Sequence, residues 1–294
     1  MPTVGVLLLA RDPLILGSFV RALEARGYVD GRNVTLVYSF AEGRPELVAA
    51  AASQLVERKP DVIFSYSGEA APIVKRATNS IPVVVAVSND PVLSGLVQSL
   101  SRPGANITGV TFVYDELAGK LLEILKEAAP NISRVAILWN PDHADPEFKG
   151  TERAAQLLKV NLHSLVVREV ADFDGAFRSL LESKSEAVIV VWSRLMSLYR
   201  ERVAEFARAN QILLVSNVKF WIELGALLTY GPDIGELVGR CAEYVDKVLK
   251  GARPSDLPMQ QPTSFRLAIN AAVARQQGLR LHPTLLARVD DLIE

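Results

Sequence analysis

The segment PVVVAVSNDPVLSGLVQSLSRPGANITGVT, residues 82–111, constrains the fold of this chain more than any other stretch. Its run Val83–Val87 contains only apolar, mostly β-branched residues, which is typical of a strand covered on both faces in a parallel sheet. Asp90 and Pro91 follow as a helix cap and a first helical residue, so they predict a short helix. Ile107–Thr111 predicts a second strand, and the segment therefore has the strand-helix-strand order of an α/β protein.

The same alternation of apolar runs and amphipathic segments extends along the chain. In the first half, strands are predicted at residues 4–9, 34–40, 62–66, 83–87 and 107–111, with helices in most of the intervals. After Pro130 the alternation restarts, with strands predicted at 134–139, 162–170, 187–191, 213–216 and 226–230. Right-handed crossovers place helices on both faces of such sheets. The sequence therefore predicts two similar doubly wound parallel-sheet lobes rather than one long sheet.

Several motifs spread over nearly the whole length carry a family resemblance. Residues 82–111 contain DPV, GLV, SL, RPG, N and TGV in that order, and further motifs are GYVDGRNV at 27–34, SDLP at 255–258, QPT at 261–263 and IN at 269–270. This combination resembles the ABC transporter substrate-binding proteins with the type I periplasmic binding fold, in the branch that includes tryptophan and tyrosine binders. Met259 stands where that family usually has valine.

The resemblance implies a division of the chain. An N-terminal lobe of residues 1–112 plus 232–258 and a C-terminal lobe of residues 113–231 plus 259–294 would be joined by a multi-strand hinge. The chain would cross between them near residues 111–114, 230–233 and 258–261.

Ligand-binding candidates follow from where the strands end. Open α/β sheets bind ligands outside the carboxyl ends of their strands, at the point where the strand order reverses. If strand one is central, that rule selects polar and aromatic residues after strands one, three and four and their equivalents in the second lobe. With three residues near the crossings, the candidate set is Arg11, Asp12, Tyr66, Ser67, Gly68, Glu69, Ala70, Asn89, Asp90, Tyr114, Asn140, His143, Trp192, Asn217, Tyr230 and Asp233.

Individual candidates suggest different chemistry. The small-residue turn from Ser67 to Ala70 would offer free backbone N–H groups to a carboxylate or phosphate, although it is equally interpretable as an ordinary helix start, and Glu69 would oppose an anion. Asp90 would receive an ammonium group or only cap a helix. Tyr66, Tyr114 and Trp192 would stack on a flat ligand, with core packing as the competing interpretation.

Composition excludes several classes of protein. A formal net charge of -1 with no basic run argues against a nucleic-acid partner. No apolar stretch approaches the roughly 20 residues that cross a bilayer. The histidines at 143, 163 and 282 lack metal-ligand spacing, and no phosphate-binding loop, dinucleotide fingerprint or nucleophile elbow occurs. We therefore expect no metal, no cofactor and no enzymatic activity.

The favoured hypothesis is an extracytoplasmic receptor of an ABC importer. It would capture a small solute, an amino acid or related carboxylate with an aromatic one preferred, and its partner would be a membrane permease. We expect a monomer located in the periplasm or anchored as a cell-surface lipoprotein. No export signal precedes the first strand, so either the protein stays inside the cell or its signal is not part of this sequence; the resemblance favours the second. The alternatives are the ligand-sensing core of a regulator with the same fold and an enzyme acting in the cleft.

Overall fold

The structure is a computed structural model of the chain. It describes residues 1–66, 68, 70–112, 115–142 and 147–294, and gives only the backbone of 115 and 116. The chain divides into two compact units. Unit 1 is Met1–Val113 with Ile234–Pro262, and unit 2 is Tyr114–Asp233 with Thr263–Glu294.

Strands β1 to β10 lie on the predicted apolar runs, although β7 ends at Val166 rather than at residue 170, and the helices lie mainly between the strands. The strands are β1 Thr3–Leu8, β2 Thr35–Phe40, β3 Val62–Tyr66, β4 Val83–Val87, β5 Ile107–Thr111, β6 Arg134–Trp139, β7 Asn161–Val166, β8 Ala187–Val190, β9 Leu213–Ser216, β10 Leu228–Gly231, β11 Arg266–Asn270 and β12 Asp291–Ile293. The helices are α1 Pro13–Glu24, α2 Val48–Glu57, α3 Ala70–Ala77, α4 Asp115–Ala128, α5 Glu147–Leu158, α6 Asp172–Glu182, α7 Arg194–Leu198, α8 Arg200–Ala209, α9 Phe220–Glu223, α10 Ile234–Leu249, α11 Ala271–Gln276 and α12 Pro283–Leu286.

Unit 1 contains a parallel sheet with the strand order β2-β1-β3-β4-β5. Every residue of β4 and β5 is buried, as the uninterrupted apolar run predicted for β4. The stacked rings of Phe19 on α1 and Phe64 on β3, with centroids 4.0 Å apart, belong to the core on one side of this sheet. Helix α10 also belongs to unit 1 and packs on α1. Its residue Cys241 is fully buried, with Sγ 3.6 Å from the carbonyl oxygen of Val85.

The predicted helix after Asp90 does not form. Residues 91–95 make a turn instead, and the prediction was wrong for a local reason. One helical turn is closed by the hydrogen bond from Ser94 N to Asp90 O, but Gly95 then adopts a φ of 66°. A residue in this left-handed conformation reverses the chain after a single turn.

Unit 2 repeats this strand arrangement and extends it. Its sheet has the order β12-β11-β10-β9-β8-β6-β7. The portion β7-β6-β8-β9-β10 is parallel and has the same topology as the sheet of unit 1. Strand β11 joins it antiparallel to β10, and β12 then lies parallel to β11. The prediction of two similar parallel-sheet α/β lobes is therefore confirmed, and β11 and β12 add a C-terminal edge to the sheet of unit 2.

Candidate functional site

The two sheets place most candidates at the carboxyl ends of neighbouring strands. In unit 1, β1 lies between β2 and β3, and Leu8 is in register with Tyr66. The strand order therefore reverses beside β1, which is the condition under which an α/β sheet offers a ligand-binding edge. In unit 2, β6 lies between β7 and β8 in the same way.

Arg11 and Asp12 follow β1 and are both exposed. The guanidinium carbon of Arg11 lies 4.6 Å from the centroid of the Phe40 ring, a cation-π distance. Asp12 is the N-cap of α1, since its Oδ1 accepts hydrogen bonds from Leu14 N at 2.9 Å and Ile15 N at 3.1 Å. Arg11 thus presents a positive charge at this edge, whereas one carboxylate oxygen of Asp12 is used in holding the helix start.

Tyr66 ends β3 and is half-buried, with its ring centroid 5.8 Å from that of Phe112. Burial, and to a smaller extent the negative charge of Asp12, raises the pKa of Tyr66 well above its ordinary value. The phenol therefore stays protonated at any physiological pH. It can donate a hydrogen bond as well as offer an aromatic face.

Asn89 is the most buried of the described polar candidates of unit 1, with 6% of its surface exposed. Its Nδ2 donates a hydrogen bond of 3.3 Å to the carbonyl oxygen of Gly68, so the candidates after β3 and β4 are in direct contact. No described residue donates a hydrogen bond to its Oδ1. Beside them, Ala70 is buried as the first residue of α3.

Asp90 caps the turn that follows β4. Its Oδ1 accepts hydrogen bonds from Val92 N at 2.7 Å and from Leu93 N at 3.0 Å. Val92 and Leu93 are themselves exposed. The capping interpretation of Asp90 therefore applies to Oδ1, and its role toward a ligand stays a prediction.

In unit 2, Asn140 and Trp192 follow neighbouring strands β6 and β8, and both are half-buried. Asn140 Oδ1 accepts a hydrogen bond of 2.9 Å from Asp142 N and so stabilises a tight turn. The indole N–H of Trp192 donates to Ser197 Oγ at 2.8 Å. This bond fixes the orientation of the indole ring at the end of β8.

Asn217 follows β9 and has 8% of its surface exposed. Its Nδ2 donates a hydrogen bond of 2.5 Å to Oε1 of Glu147, the first residue of α5. Glu147 is also only 8% exposed, which is unusual for a carboxylate. Glu147 was not among the predicted site residues, because an acidic residue in the first turn of a helix is ordinarily an exposed partner of the helix dipole.

Two of the remaining candidates are close in sequence to the point where the chain passes from unit 2 to unit 1. The other four are outside the described residues. Tyr230 lies within β10 and is half-buried, with its ring centroid 5.9 Å from that of Phe265. Asp233 is exposed just before α10. Four predicted site residues lie outside the part of the chain that the structure describes: Ser67, Glu69, Tyr114 and His143.

Two further features concern the residues that the structure describes. Among them, no three His, Cys, Asp or Glu side chains are grouped as ligands for a metal ion. No helix within the same residues is both long enough and apolar enough to cross a bilayer.

Two α/β units with matching parallel sheets, each with polar and aromatic groups at the carboxyl ends of neighbouring strands, define the class of type I periplasmic binding proteins. Solved structures support this class. The chain has a TM-score of 0.91 and 26% identity to a conserved domain protein from Vibrio cholerae, with 99% of both chains covered. It has a TM-score of 0.92 and 23% identity to the ABC domain in complex with L-Trp from Streptococcus pneumonia, again with 99% of both chains covered.

The sequence comparisons define the family more narrowly. Residues 10–293 match the family described as ABC transporter substrate binding protein, and the chain belongs to that family. A tyrosine-binding protein of Clostridioides difficile (strain R20291) is 27% identical over 257 residues, which cover 86% of this chain and 73% of that protein.

Proposed function

We propose that this protein is the extracytoplasmic solute receptor of an ABC importer and that it binds an amino acid or related carboxylate, with an aromatic one preferred. The observation that carries the proposal is the set of aromatic and buried polar groups at the carboxyl ends of both sheets, in a chain of the substrate-binding family. A relative named as tyrosine-binding and a solved neighbour holding L-Trp support the aromatic preference.

The proposed binding mode uses contributions from both units. The faces of Tyr66 and Trp192 would stack on the aromatic side chain of the ligand, since ring faces bury a large area and leave polar tips to select orientation. Arg11 would attract the carboxylate of the ligand toward unit 1. Polar candidates of unit 2, including Asn217, would contact the other end of the ligand.

Closure of the two units on the solute would be the output of binding. A ligand that contacts both units stabilises a closed form more than an open one, and only this difference in affinity shifts the equilibrium between them. Hinge closure around a ligand is the general mechanism of such receptors. In this proposal the closed monomer docks on a membrane permease. The protein is located in the periplasm or is anchored to the cell surface as a lipoprotein, and it performs no catalysis.

Thermal-shift screening tests the proposal. The purified protein is heated with each of the proteinogenic L-amino acids, and with the D-enantiomers of tryptophan and tyrosine as matched controls. A ligand present at about 100 times its Kd stabilises a protein by about 2.7 kcal/mol, which raises the Tm of a chain of this size by several degrees. Stabilisation by an L-aromatic amino acid is expected, and a panel in which no aromatic compound raises the Tm would contradict the proposal.

A further inference from the structure

We infer that Asn89 and Asp90 of unit 1 together form the acceptor site for the ammonium group of the ligand. This inference rests on the proposed function, because it assigns one end of an amino-acid ligand to two named side chains. In the proposed binding mode Arg11, also in unit 1, attracts the carboxylate of the ligand. The two charged groups of an α-amino acid are bonded to the same carbon atom, so one unit receives both.

The orientation of the Asn89 amide follows from its contact with Gly68. A carbonyl oxygen only accepts hydrogen bonds, so the 3.3 Å contact with Gly68 O identifies the nitrogen of the Asn89 amide. The other amide atom, Oδ1, is buried, and no described residue donates a hydrogen bond to it. Native proteins keep few buried acceptors of this kind, and each one calls for an explanation.

The position of Asn89 favours a ligand as the missing donor. Asn89 comes two residues after the end of β4, and Tyr66, the last residue of β3, is in register with Ala86 of β4. Tyr66 and Asn89 thus follow from neighbouring strands to the carboxyl edge of the sheet, where ligands of this fold class bind. From β5, Thr111 Oγ1 donates to the carbonyl oxygen of Asn89 at 3.4 Å, which holds the backbone of Asn89 at this edge.

Asp90 supplies a negative charge directly beside this amide. Its Oδ1 accepts hydrogen bonds from the backbone N–H groups of Val92 and Leu93. Within the residues that the structure describes, no donor contacts its Oδ2 and no cationic side chain is paired with its carboxylate. Asp90 is half-buried. One of its oxygens therefore holds the turn, and the other is available to a ligand.

The chemistry of the two residues selects the class of group that they bind. Asn89 Oδ1 and the Asp90 carboxylate are hydrogen-bond acceptors, so a carboxylate or phosphate of a ligand would be repelled. A neutral hydroxyl or indole donor would satisfy Asn89 Oδ1 but would gain little from the adjacent charge. An ammonium group supplies three N–H donors and a positive charge, and it therefore suits both residues.

The test compares two probes that differ only in the ammonium group: L-tryptophan and indole-3-propionate, or L-tyrosine and 3-(4-hydroxyphenyl)propionate. Binding of each to the full chain is measured by calorimetry for wild type, Asn89→Leu and Asp90→Asn. The second variant removes the charge but keeps an oxygen that can accept from the turn. Asp61→Asn is the matched control, since Asp61 is exposed, accepts a backbone hydrogen bond of 2.7 Å from Thr3 N and precedes β3 at the opposite end of the sheet.

The wild type should prefer the amino acid over its deamino analogue. Asn89→Leu should weaken amino-acid binding by roughly 10- to 100-fold, the range expected for a hydrogen bond to a charged group. Asp90→Asn should weaken it by about 5- to 20-fold, because solvent screens a half-buried charge. Both variants should leave the affinity for the analogue within about threefold, and Asp61→Asn should change neither affinity. Circular dichroism verifies that each variant is folded, and if Asn89→Leu does not fold, Asp90→Asn decides the test alone.

Two results would overturn the inference, and only the second also removes the proposed ligand. If the wild type binds the amino acid but a folded variant at Asn89 or Asp90 leaves the ratio of the two affinities unchanged, the ammonium group is bound elsewhere. If neither kind of probe binds the wild type, the amino-acid assignment fails, and the ammonium site fails with it.

Discussion

The Nδ2 atom of Asn89 donates a hydrogen bond of 3.3 Å to the carbonyl oxygen of Gly68, and a Cβ atom at Gly68 would lie 2.7 Å from Asn89 Oδ1. The chain after β3 and the chain after β4 are therefore in close contact, and a side chain at position 68 would displace that of Asn89. Position 68 therefore favours glycine because of this close contact, and not because of backbone flexibility.

Gly68→Ala should displace the side chain of Asn89 and weaken ligand binding. Because only one side chain has to move, we expect a loss of stability of about 1 kcal/mol together with an affinity at least tenfold lower for the best ligand of the thermal-shift panel. Calorimetry and thermal unfolding of the same variant measure both quantities. An unchanged affinity would remove Asn89 and Gly68 from the binding site.

Gly109→Ala and Gly175→Ala should have opposite effects on stability. Gly109 on β5 has a φ of 143°, and its Cβ would lie 1.9 Å from the backbone oxygen of Val85, so the substitution should cost about 3 kcal/mol or more. Gly175 is exposed within α6 with open space around it, and alanine there should stabilise the protein by about 0.5–1 kcal/mol. Denaturant unfolding measures both, and a Gly109→Ala variant as stable as wild type would contradict the close packing of β5 against Val85.

Asn106 of the RPGAN motif should prove to be a structural residue. Its Nδ2 donates to the carbonyl oxygens of Ile81 at 2.7 Å and Thr78 at 3.2 Å, which ties the start of β5 to the chain entering β4. Asn106→Ala should lower the free energy of unfolding by about 2 kcal/mol, since it leaves two carbonyl groups without this donor. Asn210→Ala, which removes one exposed bond to Phe206 O, serves as the control with an expected change within about 0.5 kcal/mol. A loss for Asn106→Ala no larger than the control's would contradict this role.

The contact between Tyr28 and Asp246 should make stability depend on pH at both extremes. Burial raises the pKa of Asp246, but hydrogen bonds from Lys250 and Tyr28 outweigh it and hold that pKa below its usual range. Burial and the Asp246 carboxylate raise the pKa of Tyr28 to about 12. The lowered acid contributes stability above its unfolded pKa that is lost as the pH falls, and the raised phenol contributes stability below its unfolded pKa that is lost as the pH rises.

Tyr28→Phe should therefore be less stable than wild type by up to about 1 kcal/mol at neutral pH, with the difference shrinking below about pH 4 and above about pH 10. Urea denaturation across this pH range measures the difference. A difference that stays constant at all pH values would show that the hydrogen bond to Asp246 is not its source.

Hydrophobic periodicity was sufficient to predict most of the fold. The apolar runs identified β1 to β10 because buried parallel strands have few polar residues, and the break at Pro130 separated the two sheets. The helix predicted after Pro91 failed because Gly95 reverses the chain, which a cap signal alone does not reveal. The short strand β12 was missed since its Leu292 and Ile293 are exposed and follow no buried pattern.

Long-range contacts were beyond what the sequence could predict. Residues 257–260 of the C-terminal motif segment lie along β5 in unit 1: Thr108 Oγ1 donates to Leu257 O at 2.6 Å, and Gln260 N donates to Gly109 O at 3.0 Å. Glu147 likewise contacts Asn217 across 70 positions of sequence. The strand-end rule selected Asn89 and Asn217 because it depends only on local patterns, whereas the burial of Glu147 depends on tertiary packing.

Calorimetric titration of the purified protein with L-tryptophan and with L-tyrosine tests the central claim most directly, and Trp192→Ala and Asp90→Ala serve as companion variants. We predict saturable binding of at least one of the two at one molecule per chain, weakened in at least one of these variants while both variants remain folded without ligand. The absence of saturable heat for both amino acids with the wild-type protein would contradict the account.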